Sequence, residues 1–413
     1  MFKRSFWVLL HRWVGLSMAG FLIIVGLTGS MLAFYEELEQ IINPHWYPVH
    51  SQETTLDAAT LAESVEARES RLQIRKIELH GFDGTTAAWI EPRINPAASK
   101  SYELDYNRII LDPVTGAEIE RHKWGAINQG WGNLMSFVYN LHYSLALGMP
   151  GVWVLGICAL IWTIDCFVSC YLTLPTSKKN RKITTAKSSE ENSNNWWQRW
   201  KPAWKIRWKS SNYKLNFDLH RANGLWLWFI LIIFAWSSVY MNLWDTVYTW
   251  TTRSIFDYRA PWTELDTLDK PIEQPYLDWR QAQTIGEMLM AEQARQHDFI
   301  VENPVKLQLD RETGTYTWQV HTDREIDSRS RRTTTQVIFD ANNGEFKLLL
   351  LPTGQYTGNT ITNWLYALHM ANVFGLPYRI FVCVLGLMIV MLSVTGIIIW
   401  MKKRRARISL HSS

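Results

Sequence analysis

Cysteine is scarce in this sequence of 413 residues, and none occurs in a polar segment. Cys158, Cys166, Cys170 and Cys383 all fall within long apolar runs. The polar segments therefore have no disulfides and must be stabilised by cores of their own. There is no G-x-G-x-x-G motif and no P-loop, which argues against a nicotinamide or flavin domain in this chain. The net charge of only +4 gives no reason to expect a nucleic-acid partner.

What the sequence does contain is 23 tryptophans, 47% hydrophobic residues and four long apolar runs. The runs are residues 13–35, 151–174, 222–244 and 380–401. Each is long enough for a transmembrane helix, which needs about 20 apolar residues. The first run is too long for a signal peptide, and no Ala-x-Ala cleavage site follows it, so we expect it to remain as a span.

Basic residues predict the orientation of these spans. They lie before the first run (Lys3, Arg4, Arg12), after the second (residues 177–182, SKKNRK), before the third (201–214) and after the fourth (402–407, KKRRAR). Loops rich in Lys and Arg stay in the cytoplasm, so both chain ends are predicted to be cytoplasmic. Two large polar segments are then predicted to lie outside.

The chain is thus predicted to alternate spans with soluble segments. The predicted parts are span 1 (1–35), a first outer domain (36–130), a short outer helix with span 2 (131–175), a cytoplasmic Trp-rich basic loop (176–216), span 3 (217–244), a second outer domain (245–362), a short outer helix with span 4 (363–402) and a basic cytoplasmic tail (403–413).

The two halves of the chain resemble each other. Residues 56–69 and 277–297 predict amphipathic helices, and the alternation in RLQIRKIELH and PVKLQLD predicts strands. The turn residues in RIILDPVTGAEI and TQVIFDANNGEF predict one hairpin per copy. The predicted fold class is an integral membrane α-helical protein with four transmembrane helices, arranged as two parallel pseudo-two-fold repeats, and two outer α+β domains with about three strands each.

Histidines recur at matching places in the two copies. His11 in HRWVG matches His220 in HRANG, and His142 in YNLHYSLALGMPG matches His369 in YALHMANVFGLP. Parallel repeats are related by an axis along the bilayer normal, so equivalent residues face each other at one depth. We therefore expect His11 opposite His220 near the cytoplasm and His142 opposite His369 near the outer face.

Two facing neutral imidazoles can hold a haem iron by both axial positions, and such a haem carries electrons without binding oxygen. Small residues near the histidines would let the flat macrocycle approach: Gly15, Gly224, Gly148 and Gly375. Distance excludes one shared four-histidine zinc or copper site, because His11 lies roughly 24 residues, or about 36 Å of helix, from the outer end of its span. The alternative is that each histidine only anchors a helix end.

Three charged residues are further candidates. Arg12 and Arg221 follow the inner histidines and could pair with haem propionates, or could be ordinary cytoplasmic anchors. Asp165 is the one acid inside a predicted span, a costly position that marks a functional candidate. It could bond a ligand imidazole, belong to a proton relay, or pair with an arginine at a helix end.

Two flanking segments complete the sequence picture. Proline and glycine separate His142 and His369 from the spans that follow, which predicts short helices near the outer surface and an outer haem open to large acceptors. Residues 196–208 (WWQRWKPAWKIRW) interleave tryptophan with basic residues, which is typical of a segment lying against anionic lipid headgroups. A docking surface for an electron donor is the alternative there.

The stretches HRWVGL, VGLTGSMLAFYEELEQIINP, DCFVSCYLTLP and LDPVTGAEI resemble the PepSY-associated transmembrane family of PiuB type, and within it the FoxB-type ferrisiderophore reductases. The resemblance implies a bacterial inner-membrane protein with two periplasmic PepSY-like domains. It also implies two haem b groups, with the ligand role falling on His11, His142, His220 and His369. The implied activity is electron delivery to Fe(III)-siderophores in the periplasm, with electrons from a separate cytoplasmic reductase, a reduced flavin or quinol.

One electron would release the metal, because hard oxygen donors hold Fe(II) far more weakly than Fe(III). Candidates for the acceptor surface are Trp89, Tyr106, Trp318, His321 and Tyr356, although strand aromatics are usually core. Three alternatives stay open. They are the same conduit with Cu(II) or a small oxyanion as acceptor, a membrane-anchored binding or regulatory protein without enzymatic activity, and a siderophore permease.

Overall fold

The computed structural model describes residues 3–50, 54–176, 195–260, 263–326 and 333–411. They divide into two compact units. The helical unit comprises Met1–Ser30, Leu141–Leu243 and Phe381–Ser413, and the sheet unit comprises Met31–Asn140 and Trp244–Ile380. The predicted cytoplasmic run at residues 177–182 lies outside the described residues.

The helices and strands follow the predicted order. The helices are α1 (Arg4–Leu32), α2 (Tyr35–Ile42), α3 (Ala58–Arg68), α4 (Leu134–Ser144), α5 (Met149–Thr173), α6 (Trp196–Trp200), α7 (Asn212–Trp226), α8 (Trp228–Asn242), α9 (Thr249–Ile255), α10 (Trp279–His297), α11 (Thr357–His369) and α12 (Gly375–His411). The strands are β1 (Leu72–Glu78), β2 (Thr86–Pro92), β3 (Ile94–Asn95), β4 (Lys100–Ser101), β5 (Arg108–Leu111), β6 (Glu118–His122), β7 (Val301–Asp310), β8 (Thr315–Thr322), β9 (Thr335–Asp340) and β10 (Phe346–Leu350).

Three helices, α1, α5 and α12, are each long and apolar enough to cross a membrane. The predicted span at residues 222–244 stays a prediction: α7 and α8 meet at an angle of 69° and satisfy the same criterion only together, as a bent pair. Asn223 and Gly224 have low helix propensity and lie just before the break at Leu227. The bend places His220 on α7 and most of the apolar run on α8.

Small residues let the helices of the helical unit approach closely. A Cβ atom added to Gly386 of α12 would lie 2.5 Å from the carbonyl oxygen of Gly26 in α1. Beside this contact, the Ser30 hydroxyl donates a hydrogen bond of 2.8 Å to the carbonyl of Cys383. Close backbone approach of this kind is how membrane helices gain packing energy, since lipid removes the hydrophobic drive between them.

The Trp-rich basic segment folds against the ends of two helices in the same unit. It forms α6 and a 3-10 turn at Lys201–Trp204. The Trp200 indole donates to the Thr173 hydroxyl at 3.2 Å, and Arg221 donates to the carbonyl of Pro202 at 2.7 Å. Trp197 remains 63% exposed.

The sheet unit contains an eight-stranded antiparallel sheet in the order β10-β9-β8-β7-β1-β2-β5-β6. The two halves of the chain each contribute four neighbouring strands, one more than predicted. They join where β1 pairs with β7, with Ile77 opposite Leu307. The two predicted outer domains therefore share one sheet.

One face of this sheet carries the apolar core. The predicted helices at 56–69 and 277–297 are confirmed as α3 and α10, which pack on that face. Both predicted hairpins are confirmed as β5–β6 and β9–β10. Their Asp112 and Asp340 carboxylates accept backbone N–H bonds within the turns, and Gly116 and Gly344 adopt positive φ angles of 68° and 74°.

The opposite face of the sheet contains a buried ion pair. Arg108 is 1% exposed and donates to Asp83, which is 0% exposed, at 2.6 Å. Arg108 also donates to the Thr85 hydroxyl at 2.8 Å, and its guanidinium lies 5.3 Å from the centre of the Trp89 ring. Burial by itself would raise the pKa of Asp83, but the charge of Arg108 and its hydrogen bonds hold that pKa below its usual value. The pair is therefore charged inside the protein.

Candidate functional site

The structure brings His11 of α1 and His220 of α7 together. Their ring centroids are 6.1 Å apart, and the ring planes make an angle of 54°. The two residues are far apart in the chain, and they meet because both helices belong to the helical unit. This is the closest approach of two imidazole rings that the described contacts show.

Oxygen atoms fix the orientation of both rings. His11 Nδ1 lies 3.0 and 2.9 Å from the two carboxylate oxygens of Asp165 on α5. His220 Nδ1 lies 3.0 Å from the carbonyl of Leu392 and 3.1 Å from the Thr395 hydroxyl, both on α12. A carbonyl can only accept, so His220 Nδ1 carries the proton and donates it. The same holds for His11 against an ionised carboxylate.

The other ring nitrogen, Nε2, has no hydrogen-bond partner on His11 or His220 among the residues that the structure describes. An imidazole that donates through Nδ1 to an oxygen presents its Nε2 lone pair, which is the usual arrangement of a histidine that ligates a metal. Asp165 therefore takes the first of its predicted roles and contacts an imidazole, and the described contacts pair it with His11.

The spacing of the rings fits a haem. A bond from imidazole nitrogen to a transition metal is about 2.0–2.1 Å long, as at zinc, so the centroids of two axial rings lie roughly 6 Å apart. The observed 6.1 Å agrees with that value. Rotation of a ring about its bond to the metal leaves the bond unchanged, so the angle of 54° is also compatible.

Glycine leaves open space beside these two histidines. Gly15 and Gly224 lie one helical turn after His11 and His220, on the same helix faces. A Cβ atom added to Gly15 would meet nothing within 4 Å, and one added to Gly224 would meet only Leu392, at 3.8 Å. The other two predicted glycines, Gly148 and Gly375, precede or begin α5 and α12 with positive φ angles of 63°.

His142 is held in a similar way. It lies near the end of α4, and its Nδ1 is 2.9 Å from the hydroxyl of Thr28 on α1. That hydroxyl donates to the carbonyl of Ile24 at 2.7 Å, so it accepts from His142. His369 is half-buried and ends α11 in the sheet unit. The short helices predicted to carry these two histidines are confirmed, and the pairing of His142 with His369 stays a prediction.

A Thr-Gly dipeptide recurs at two of the histidines, and the sequence analysis missed it. Thr28 and Gly29 contact His142, and Thr395 and Gly396 contact His220. A Cβ atom on Gly29 would lie 3.0 Å from His142 Cε1, and one on Gly396 would lie 3.3 Å from His220 Cε1. In each case the threonine hydroxyl forms a hydrogen bond with the imidazole ring, and the glycine, which has no side chain, leaves space for the ring. The signal was present in VGLTGS and SVTGI.

The two predicted arginines differ in their surroundings. Arg221 donates to Asp218, which is 0% exposed and also accepts from Arg207. The Arg221 Nε is buried and has no hydrogen-bond partner among the described residues. Arg12 is half-buried on α1. Arg221 is therefore held by a buried carboxylate, and its Nε–H group is the donor that has no partner among the described residues.

The prediction of an exposed acceptor surface is wrong for two of the five candidate residues. Trp318 is 3% exposed because it packs in the helix-side core against Gly286, and His321 is 8% exposed beside Glu325. The remaining three are half-buried and have polar or cationic partners. Trp89 donates to Glu78, Tyr106 accepts from Arg121, and Arg259 lies over the Tyr356 ring.

Comparison with known protein families shows which family the chain belongs to. The family model described as "PepSY-associated TM region" matches residues 8–403. The chain belongs to this family. The match runs through both units and includes all four predicted histidine ligands, and together with the long apolar helices it makes this PepSY-associated protein a membrane protein. No curated protein matches its sequence.

Proposed function

We propose that this PepSY-associated protein is a transmembrane electron conduit with two haem b groups, an inner-membrane ferric reductase that acts on Fe(III)-siderophores. The observation that carries the proposal is the pair formed by His11 and His220. The two rings are 6.1 Å apart, both Nδ1 atoms are hydrogen-bonded to oxygen, and both Nε2 atoms are available. An anchoring role alone would not require two imidazoles at the spacing of axial ligands.

A haem held there by His11 and His220 would supply one-electron transfer. The residues of the chain prepare the site. Asp165 orients the His11 ring, and Leu392 with Thr395 orients the His220 ring. Ligands held in fixed orientations suit electron transfer, because little has to rearrange when the charge changes.

The proposal extends to a second haem on His142 and His369 at the outer side. It also includes four spans, with α7 and α8 as one bent span, and both chain ends in the cytoplasm. The strand order of the sheet supports the two-fold repeat, since β1 and β7 are equivalent strands and pair antiparallel at the centre. Strands paired in this way are related by a two-fold axis between them.

The acceptor is proposed to be a ferric siderophore in the periplasm. A single electron converts Fe(III) to Fe(II), and the oxygen donors of the chelate then release the softer ion. The donor is proposed to be a separate cytoplasmic reductase, a reduced flavin or quinol. Residues 195–226 supply tryptophan and basic side chains for contact with lipid headgroups on that side.

The test begins with a pyridine haemochrome count on detergent-purified protein. We expect two haems per chain and a split α band on reduction with dithionite. Stopped-flow reoxidation of the reduced haems then compares a ferrioxamine-type chelate with Cu(II) and with sulfite. Fast reoxidation by the ferric chelate supports the proposed acceptor, and preference for another oxidant changes the acceptor alone. A folded but colourless protein would favour a membrane-anchored binding protein and would contradict the proposal.

Gly396→Val should reduce haem binding at the inner pair. The added side chain would push on the His220 ring, which already lies 3.3 Å from an ideal Cβ at this position. We expect the haemochrome count to fall from two towards one. Gly20→Ala is the matched control, since its added Cβ meets nothing within 4 Å, and it should retain both haems. Equal counts in the two variants would mean that the His220 ring is not a ligand at this site.

A further inference from the structure

The geometry points to Asp165 as the residue that makes the inner haem the lower-potential one of the two, so that electrons move outward. This inference rests on the proposed function. It concerns what distinguishes the two haem sites, and it assigns Asp165 as a positioning residue that acts on iron through His11.

The partners of the histidines differ in charge. The carboxylate of Asp165 contacts His11 Nδ1 through both oxygens, within 3.0 Å, and its side chain is only 12% exposed. His220 donates to a carbonyl and a hydroxyl, and His142 donates to a hydroxyl. Among the three histidines whose Nδ1 partners are described, His11 has the anionic one.

An anionic partner changes the ligand. Hydrogen bonds to an ionised acceptor are shorter and roughly twice as strong as neutral ones, and a carboxylate behind a histidine makes its ring a more basic ligand. A more electron-rich imidazole stabilises Fe(III) relative to Fe(II), and this lowers the reduction potential. The low exposure of the Asp165 side chain, 12%, reduces screening of this charge by water.

The charge is specific to one copy of the repeat. Asp165 and Leu392 lie the same number of residues after His142 and His369. At that position each copy holds its own inner histidine, the first copy through a carboxylate and the second through a backbone carbonyl. A two-fold repeat would otherwise make the inner ligands alike, so the difference lies in this side chain.

The consequence concerns the direction of electron transfer between the two sites. If the inner haem has the lower potential, an electron that enters near His11 moves downhill to the site at His142. The described Nδ1 contact of His142, with the Thr28 hydroxyl, is a neutral one. A purely structural Asp165 that only ties α1 to α5 would leave the potentials unchanged.

Spectroelectrochemical titration of the full protein in detergent tests the inference. In the wild type, we expect two separated midpoints, with the lower one belonging to the inner haem. His142→Ala assigns that midpoint, since this variant retains only the inner haem. Asp165→Asn should raise the inner midpoint and leave the outer one in place. We expect the ratio of reduced to oxidised inner haem at a fixed potential to rise about tenfold, which is about 59 mV for a one-electron couple.

Two controls separate charge from geometry. Asp165→Glu retains the charge and should stay close to the wild-type midpoint. Thr395→Val removes a neutral partner and leaves the Leu392 carbonyl to accept from His220, so its inner midpoint should shift much less than that of Asp165→Asn.

The outcomes are distinct from those of the proposed function. A protein without haem contradicts the proposed function itself. Two bound haems with an inner midpoint equal to or above the outer one, or an Asp165→Asn midpoint that does not move, would overturn the inference alone. If Asp165→Asn loses the inner haem, the wild type and Asp165→Glu test the inference instead. An inner midpoint below the outer midpoint in both of these proteins supports the inference, and any other order overturns it.

Discussion

His11→Ala should remove one of the two proposed haems and leave the other reducible by dithionite. Its imidazole is one of two rings whose 6.1 Å spacing fits a single metal, so its loss would leave only His220 to hold the proposed haem there. We expect the haemochrome count to fall from two to one and the lower-potential midpoint to disappear. Electrons supplied from the cytoplasmic side should then no longer reach an outer acceptor.

His220→Ala should reproduce the spectrum of His11→Ala, since both remove the same haem. His142→Ala and His369→Ala should instead share a second spectrum, with the inner haem retained. His45→Ala is a matched control, because His45 is an exposed histidine paired with Glu120 in the sheet unit, and it should retain both haems. Loss of the same single haem in His11→Ala and His142→Ala would show that the proposed pairing is wrong.

Arg108→Met should strongly destabilise the sheet. The variant leaves the Asp83 carboxylate buried without its cation, and breaking a buried ion pair from one side costs about 3–5 kcal/mol. Hydrogen exchange of the full protein in detergent measures this locally. Amides of β2, β5 and β6 should exchange at least about 100-fold faster, since about 1.4 kcal/mol corresponds to a factor of ten.

Lys347→Met is the control for charge removal. Lys347 pairs with Glu345 at 2.7 Å, but the glutamate is 64% exposed, and exposed pairs contribute about 0–1 kcal/mol. The double variant Arg108→Met with Asp83→Leu should recover part of the protection, because it leaves no unpaired charge inside. Protection in Arg108→Met equal to that in Lys347→Met would mean that the buried pair does not stabilise the sheet.

Local patterns predicted the parts of the fold that depend on neighbouring residues. The helical periodicity located α3 and α10, and the Asp-x-x-x-Gly turns located both hairpins with their positive φ glycines. The pairing of β1 with β7 could not be read in this way, because it joins strands from different halves of the chain. The break at Leu227 was also missed, since a bent apolar run has the same hydropathy as a straight one.

The candidate site was predictable to a similar extent. His11 and His220 were found because each recurs in a copy of the repeat, and Asp165 because a charge stands out in an apolar span. Thr395 with Gly396 was missed, since a small polar dipeptide in a membrane helix resembles ordinary packing. Trp318 was misjudged because strand alternation does not say which face carries the core.

The residue types and their repetition along the chain were enough to name the histidines, the long apolar helices and the turns. Only the tertiary structure decided which atoms surround each imidazole, and with them the difference between a carboxylate at His11 and a carbonyl at His220. The physical reason is that these hydrogen bonds join helices distant in sequence. Their geometry depends on how the helices pack, which no local pattern records.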